Sequence, residues 1–102
     1  MTGREKYNIY NEMLNEIPEL EARIRQSLTE RGYKIYTVFL SVADEENKLY
    51  FCDIEYGGSP EKYNRIYKNL SKETIVKHFY LKERPEAGRK MVGKYLLIDS
   101  IN

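Results

Sequence analysis

Residues 48–56 read KLYFCDIEY, with Tyr50, Cys52, Ile54 and Tyr56 at every second position and Asp53 and Glu55 between them. Side chains alternate sides along an extended chain, so this period demands a β-strand with one face on a core and the other partly in water. Upstream, residues 33–42 (YKIYTVFLSV) are rich in β-branched and aromatic side chains and read as a second strand. The polar stretch Asp44-Glu45-Glu46-Asn47 supplies the turn between them. A β-hairpin with one buried face is therefore the centre of the expected fold.

The first third of the chain has a different period. Tyr10, Met13, Ile17, Leu20, Ile24 and Leu28 recur at three- and four-residue steps, the stripe of an amphipathic helix. Pro18 interrupts it, since proline has no N–H for the Leu14 carbonyl and disfavours helical geometry at Ile17. One kinked helix fits the pattern, as does a short helix abutting a second that starts at Pro18. Glu19 and Glu21 suit a helix start, and each lies four residues before an arginine, Arg23 and Arg25. Arg31 followed by Gly32 marks the stop.

After the hairpin, Ser59 and Pro60 have the chemistry of an N-cap and a first helical residue. Tyr63, Ile66, Tyr67 and Leu70 follow at i, i+3, i+4 and i+7, so a second helix is expected over residues 60–70. Residues 74–82 (TIVKHFYLK) are read as a strand from their β-branched and aromatic content, with a helix capped by Ser71 as the alternative. A Gly/Pro-containing loop and a last strand over 94–101 (KYLLIDSI) complete the order. The expected architecture is an α+β two-layer sandwich, α(α)ββαββ. Two helical segments pack on one face of a mostly antiparallel four-stranded sheet, in one domain over residues 1–102.

Composition bounds the function. A 41% hydrophobic, 32% charged chain of 102 residues suits a globular domain that buries a core without staples. No apolar run approaches the roughly 18 residues needed to span a bilayer, and no apolar signal segment follows Met1. A lone cysteine cannot form an internal disulfide, so a cytoplasmic location is expected, with Cys52 a buried, inert thiol.

The motifs that suggest chemistry fail on their details. Residues 88–95 (GRKMVGKY) imitate a phosphate-binding loop, but Tyr95 stands where a small hydroxyl must meet magnesium, and a strand follows where a helix is required. Gly57-Gly58-Ser59 before a helix would suit an anion, yet the same residues serve an ordinary capped turn. His78 is the only histidine and Cys52 the only cysteine, which removes paired-histidine and cysteine-rich metal sites within one chain. Asp44, Glu45 and Glu46 lack the alternating oxygen ligands and glycine of a calcium loop. No metal, cofactor or catalytic group is assigned.

Charge is divided along the chain. Residues 1–59 hold seven Lys/Arg against eleven Asp/Glu, and residues 60–102 hold ten against five. The candidate binding residues come from the basic part: Lys77, His78, Tyr80, Arg84, Arg89, Lys90, Lys94 and Tyr95. On a strand, Val76, His78, Tyr80 and Lys82 would share one face, setting a tyrosine ring among cations. Lys and Arg neutralise phosphates and exposed rings stack on unpaired bases, so this region would suit single-stranded nucleic acid. Ten tyrosines, including Tyr7, Tyr10, Tyr63 and Tyr67, suit protein contact equally well, because a tyrosine buries much area and keeps a polar tip.

The expected function is that of a small non-enzymatic binding protein acting through protein–protein contacts: an inhibitor, an immunity-type protein, an adaptor or a homodimer-forming module. A single-stranded nucleic-acid-binding accessory using residues 77–95 is the second reading. A small ribonuclease with His78 among its acid–base groups is the third. No membrane partner is expected.

Overall fold

The computed structural model describes residues 1–58, 61–82, 91–92 and 95–96 of the 102-residue chain. It shows a long helix and a three-stranded antiparallel sheet, followed by a short helix.

Helix α1 spans Gly3–Glu30 without interruption. Thr2 and Glu5 form a reciprocal cap: the Glu5 N–H donates to Thr2 Oγ1 at 3.1 Å and the Thr2 N–H donates to Glu5 Oε1 at 2.8 Å. Pro18 lies inside the helix, which settles the choice in favour of one helix over two. Pro18 and Leu14 are both exposed, so the interruption lies on the side of α1 away from the core. The helix ends as its sequence requires. Gly32 adopts φ +85°, the Gly32 N–H donates to the Thr29 carbonyl and the Tyr33 N–H to the Leu28 carbonyl, both at 3.0 Å.

The expected hairpin is present as β1 (Lys34–Asp44) and β2 (Leu49–Gly58). The Asp44 carboxylate closes its turn by accepting from the Asn47 N–H at 3.1 Å and from Asn47 Nδ2 at 2.8 Å. Strand β3 (Glu61–Ser71) then pairs with the other edge of β2, giving the order β1-β2-β3. This replaces the helix expected over 60–70. The four residues at helical spacing belong to two faces: Ile66 and Leu70 point to the core, while Tyr63 and Tyr67 are exposed. Over so short a run, apolar spacing does not separate the two periods. The unpaired backbone edge of β2 decides the matter by taking a full antiparallel ladder from Tyr50↔Leu70 to Tyr56↔Asn64.

The next segment reverses the expectation in the opposite direction. Residues 74–78 of the expected strand belong instead to helix α2 (Lys72–His78), the alternative capped by Ser71. Ser71 caps it, its Oγ accepting the Thr74 N–H at 3.1 Å, and Ile75 and Phe79 are buried four residues apart on its inner side. Tertiary burial of this i, i+4 pair outweighs the β-branched composition of Thr74-Ile75-Val76. The last strand, expected over 94–101, lies outside the described residues except where β4 (Met91–Val92) pairs antiparallel with β5 (Tyr95–Leu96).

The core lies on one face of the sheet. Cross-strand rows Val38–Ile54–Ile66 and Val42–Tyr50–Leu70 run over it. Met13, Leu20, Ile24 and Leu28 of α1 join them in one cluster with Ile75 and Phe79. Polar bonds fix the helices to this layer. Glu16 accepts from Tyr50 Oη at 2.9 Å and pairs with Lys72 Nζ at 3.2 Å. Arg23 Nη1 donates to the Phe79 carbonyl at 3.1 Å, and Arg31 Nη2 to the His78 carbonyl at 3.3 Å. Burial pushes the Tyr50 hydroxyl well above the ordinary tyrosine range, with its bond to Glu16 adding to the effect. No helix among the described residues is long and apolar enough to cross a membrane.

Candidate functional site: the open face of the sheet

Covering one face of a sheet leaves the other to be explained. Alternation sends Phe39 of β1, Phe51, Asp53 and Glu55 of β2, and Tyr63, Arg65 and Tyr67 of β3 to the side away from α1. A register shift between Ile35 and Thr37 puts Tyr36 beside the same surface, its ring 6.4 Å from that of Tyr63. Tyr36, Phe39, Tyr63 and Tyr67 are 54%, 51%, 59% and 60% exposed, and they lie on one surface. Scattered apolar side chains at a surface are ordinary, whereas these four rings share one face of the sheet.

The rings surround an ordered polar centre. Arg65 lies across the sheet from Glu55 and diagonal to Asp53. Its guanidinium forks onto Asp53, with Nε 3.1 Å from Oδ1 and Nη2 3.3 Å from Oδ2. The same guanidinium sits 4.4 Å from the centroid of the Tyr67 ring, which in turn meets Phe51 edge-on at 5.0 Å. Glu55 is held separately. Thr37 Oγ1 donates to its Oε1 at 2.6 Å, Tyr63 Oη donates to Oε2, and Arg65 Nε is 3.9 Å from Oε2.

These bonds set the charges of the centre. Donation by Thr37, then by Tyr63, holds the Glu55 carboxyl below its usual range, with Arg65 helping. The bond to Glu55 pushes the Tyr63 hydroxyl up, and Asp53 does the same to the Arg65 guanidinium. The centre brings two carboxylate side chains and one guanidinium together, a formal net charge of −1, among aromatic side chains.

Gly57 belongs to this side of the molecule for a steric reason. A Cβ there would lie 3.1 Å from the Lys62 carbonyl oxygen, a tight contact with the β3 backbone that glycine avoids. The anion site considered at Gly57-Gly58-Ser59 required a helix to follow. β3 begins at Glu61 in its place, and no helix dipole points there.

Among the candidate residues of the basic part, Lys77, His78 and Tyr80 are described and exposed. They do not form the shared strand face, because Lys77 and His78 end a helix and Tyr80 lies beyond it. His78 packs edge-on against Phe79 at 4.8 Å, and the Tyr80 ring is capped by Arg31 at 4.7 Å. Arg84, Arg89, Lys90 and Lys94 lie outside the described residues, and of Tyr95 only the backbone in β5 is described. A groove of about 310 Å³ beside β3 and α2 brings His78 near Asn64, Lys68 and Thr74.

Sequence reasoning placed Tyr63 and Tyr67 on a helix and left Tyr36 and Phe39 without a role. The signal was present as a second alternation, Tyr63-x-Arg65-x-Tyr67-x-Asn69, in phase with Phe51-x-Asp53-x-Glu55. Among the described residues, no group of three or more His, Cys, Asp or Glu side chains is placed to hold a metal ion. No family model, curated protein or solved structure matches the chain.

Proposed function

We propose that this is a non-enzymatic binding protein whose sheet face away from α1 docks a protein partner. The carrying observation is the set of four rings, each more than half exposed, gathered on one surface around Asp53, Glu55 and Arg65. Tyrosine and arginine give contact area and directional hydrogen bonds at small entropic cost, so such a surface has the composition of an interface centre. The sheet makes it rigid. Rings on paired strands are spaced before any partner arrives, which lowers the cost of binding.

The test compares the wild-type chain with a Phe39→Ala/Tyr67→Ala variant, both checked for folding by circular dichroism. Each is used to retain proteins from extracts of the cells that make it. A defined protein held by the wild type and lost from the variant is expected, with binding weaker by at least tenfold if either ring is a central contact, worth about 1.4 kcal/mol or more. Equal retention by both would refute the assignment of the face.

A nucleic-acid partner is the second reading, and the groove beside α2 favours it through Lys68 and His78. It is tested by titrating a single-stranded oligonucleotide at two salt concentrations, where affinity should fall steeply with salt. A small ribonuclease is the third reading, with the exposed His78 among its acid–base groups; an RNA left intact under conditions where it is bound would count against it.

A further inference from the structure

The open face already holds one guanidinium, its own. Arg65 shows the mode: a planar cation laid over one ring, Tyr67, with its fork on a carboxylate, Asp53. One row further along the sheet, Glu55 repeats part of that arrangement. Tyr63 and Tyr36 lie beside it with their rings more than half exposed, and no cation sits over either ring among the described residues. Each Glu55 oxygen accepts one bond, from Thr37 or from Tyr63, and a carboxylate oxygen has room for two. The side chain remains 24% exposed, so a donor arriving from solvent can reach it.

We infer that the partner presents an arginine to this second position, its guanidinium against Tyr36 and Tyr63 and its N–H groups on Glu55. The inference rests on the protein-docking reading of the face. Charge complementarity selects the occupant. The centre has two carboxylates and one guanidinium, so one incoming cation brings it to neutrality. A second copy laid face to face would set four carboxylates against two guanidiniums. A phosphate backbone would meet Asp53 and Glu55 directly. Arginine fits better than lysine, because a planar guanidinium stacks on a ring and bonds a carboxylate together, as Arg65 does.

The experiment uses the whole chain and acetyl-arginine-amide as probe, followed by NMR of the Tyr36, Glu55 and Tyr63 resonances. Acetyl-citrulline-amide, of nearly the same shape without charge, is the control. Saturable shifts at these residues with arginine, and none with citrulline, are expected. Glu55→Gln should weaken the probe by about tenfold through loss of a charge-assisted bond. Tyr36→Ala should weaken it by about threefold through loss of one ring. Equal response to citrulline would overturn the inference, as would an unchanged affinity in Glu55→Gln. So would movement of the same resonances by an oligonucleotide, or by the protein's own concentration, with no response to arginine. A partner lost from the Phe39→Ala/Tyr67→Ala variant but bound unchanged by Glu55→Gln would keep the docking face and remove the arginine.

Discussion

The backbone N–H of Leu40 donates to Glu21 Oε2 at 3.0 Å, so a carboxylate from α1 satisfies a donor of strand β1. β1 pairs with β2 on one side and is an outer strand of its sheet. An outer strand exposes a row of unpaired N–H and C=O groups on which another chain can template itself. Glu21 occupies that row at its middle. The contact also fixes α1 against β1, which holds Val38 and Leu40 over the helix and turns Tyr36 and Phe39 outward.

Glu21→Ala should therefore cost about 1 kcal/mol of stability, from a part-buried donor left to water. It should also raise the tendency to self-associate. Glu21→Gln, which keeps an acceptor, should lose less on both counts. Urea midpoints and light scattering at rising concentration measure the two effects. Loss of stability without any change in association would show that the β1 edge is protected in another way.

The end of α1 gives a backbone test. Gly32→Ala places a side chain at φ +85°, where a left-handed residue other than glycine costs about 1 kcal/mol. Gly3 has ordinary φ and open space around it, so Gly3→Ala should leave stability unchanged or slightly raised. Thermal melts of the two variants should separate clearly.

Much of the fold was legible from residues 1–58, and the reason is local. The α1 stripe, the Arg31-Gly32 stop and the β2 alternation each match one period over enough residues to exclude the other. From residue 61 onward the information is not local. Tyr63, Ile66, Tyr67 and Leu70 fit a helix stripe as well as two sheet faces, and the free edge of β2 decides between them. Ile75 and Phe79 likewise declare a helix through the core they enter, not through propensity. The candidate site was hidden for the same reason. Its rings come from three strands, and only the pairing of Thr37 with Glu55 and of Glu55 with Arg65 brings them into one group.

Ser27 gives a prediction of opposite sign. It is fully buried on the core side of α1, and its Oγ has no hydrogen-bond partner among the described residues. A buried hydroxyl without a partner is costly, and alanine is the better helix former. Ser27→Ala should raise stability by about 1 kcal/mol, read from denaturant unfolding with an unchanged m-value. A loss of stability would mean that the hydroxyl bonds inside the core.

Cys52 should be silent in the native state. Burial pushes its thiol up to about 11, with only partial relief from the Leu70 backbone, and none of its surface is exposed. At pH 8 a disulfide reagent should label it only as fast as the sheet opens, and mild denaturant should accelerate labelling in step with unfolding. Rapid stoichiometric labelling in buffer would contradict the packing of Cys52 beside Leu40 and Lys68.

The Glu55 centre predicts how stability should vary with pH. Folding lowers the Glu55 pKa through Thr37 and Tyr63, so its contribution is present above the unfolded value of about 4.3 and is lost as pH falls through the folded one. Folding raises the Tyr63 pKa through Glu55, so that contribution is full below about pH 10 and is lost as pH rises through the folded value. The bond between them is thus worth most in the window bounded by these two titrations. Glu55→Gln removes the charge that creates both shifts. The difference in melting temperature between wild type and Glu55→Gln should be largest near neutral pH, narrowing below about pH 4 and above about pH 10. Tyr63→Phe should abolish the alkaline narrowing and keep the acid one, because Thr37 still donates to Glu55. A difference constant from acid to alkali would show that neither group gains from folding, and that the centre of the face is not held as Thr37, Glu55 and Tyr63 place it.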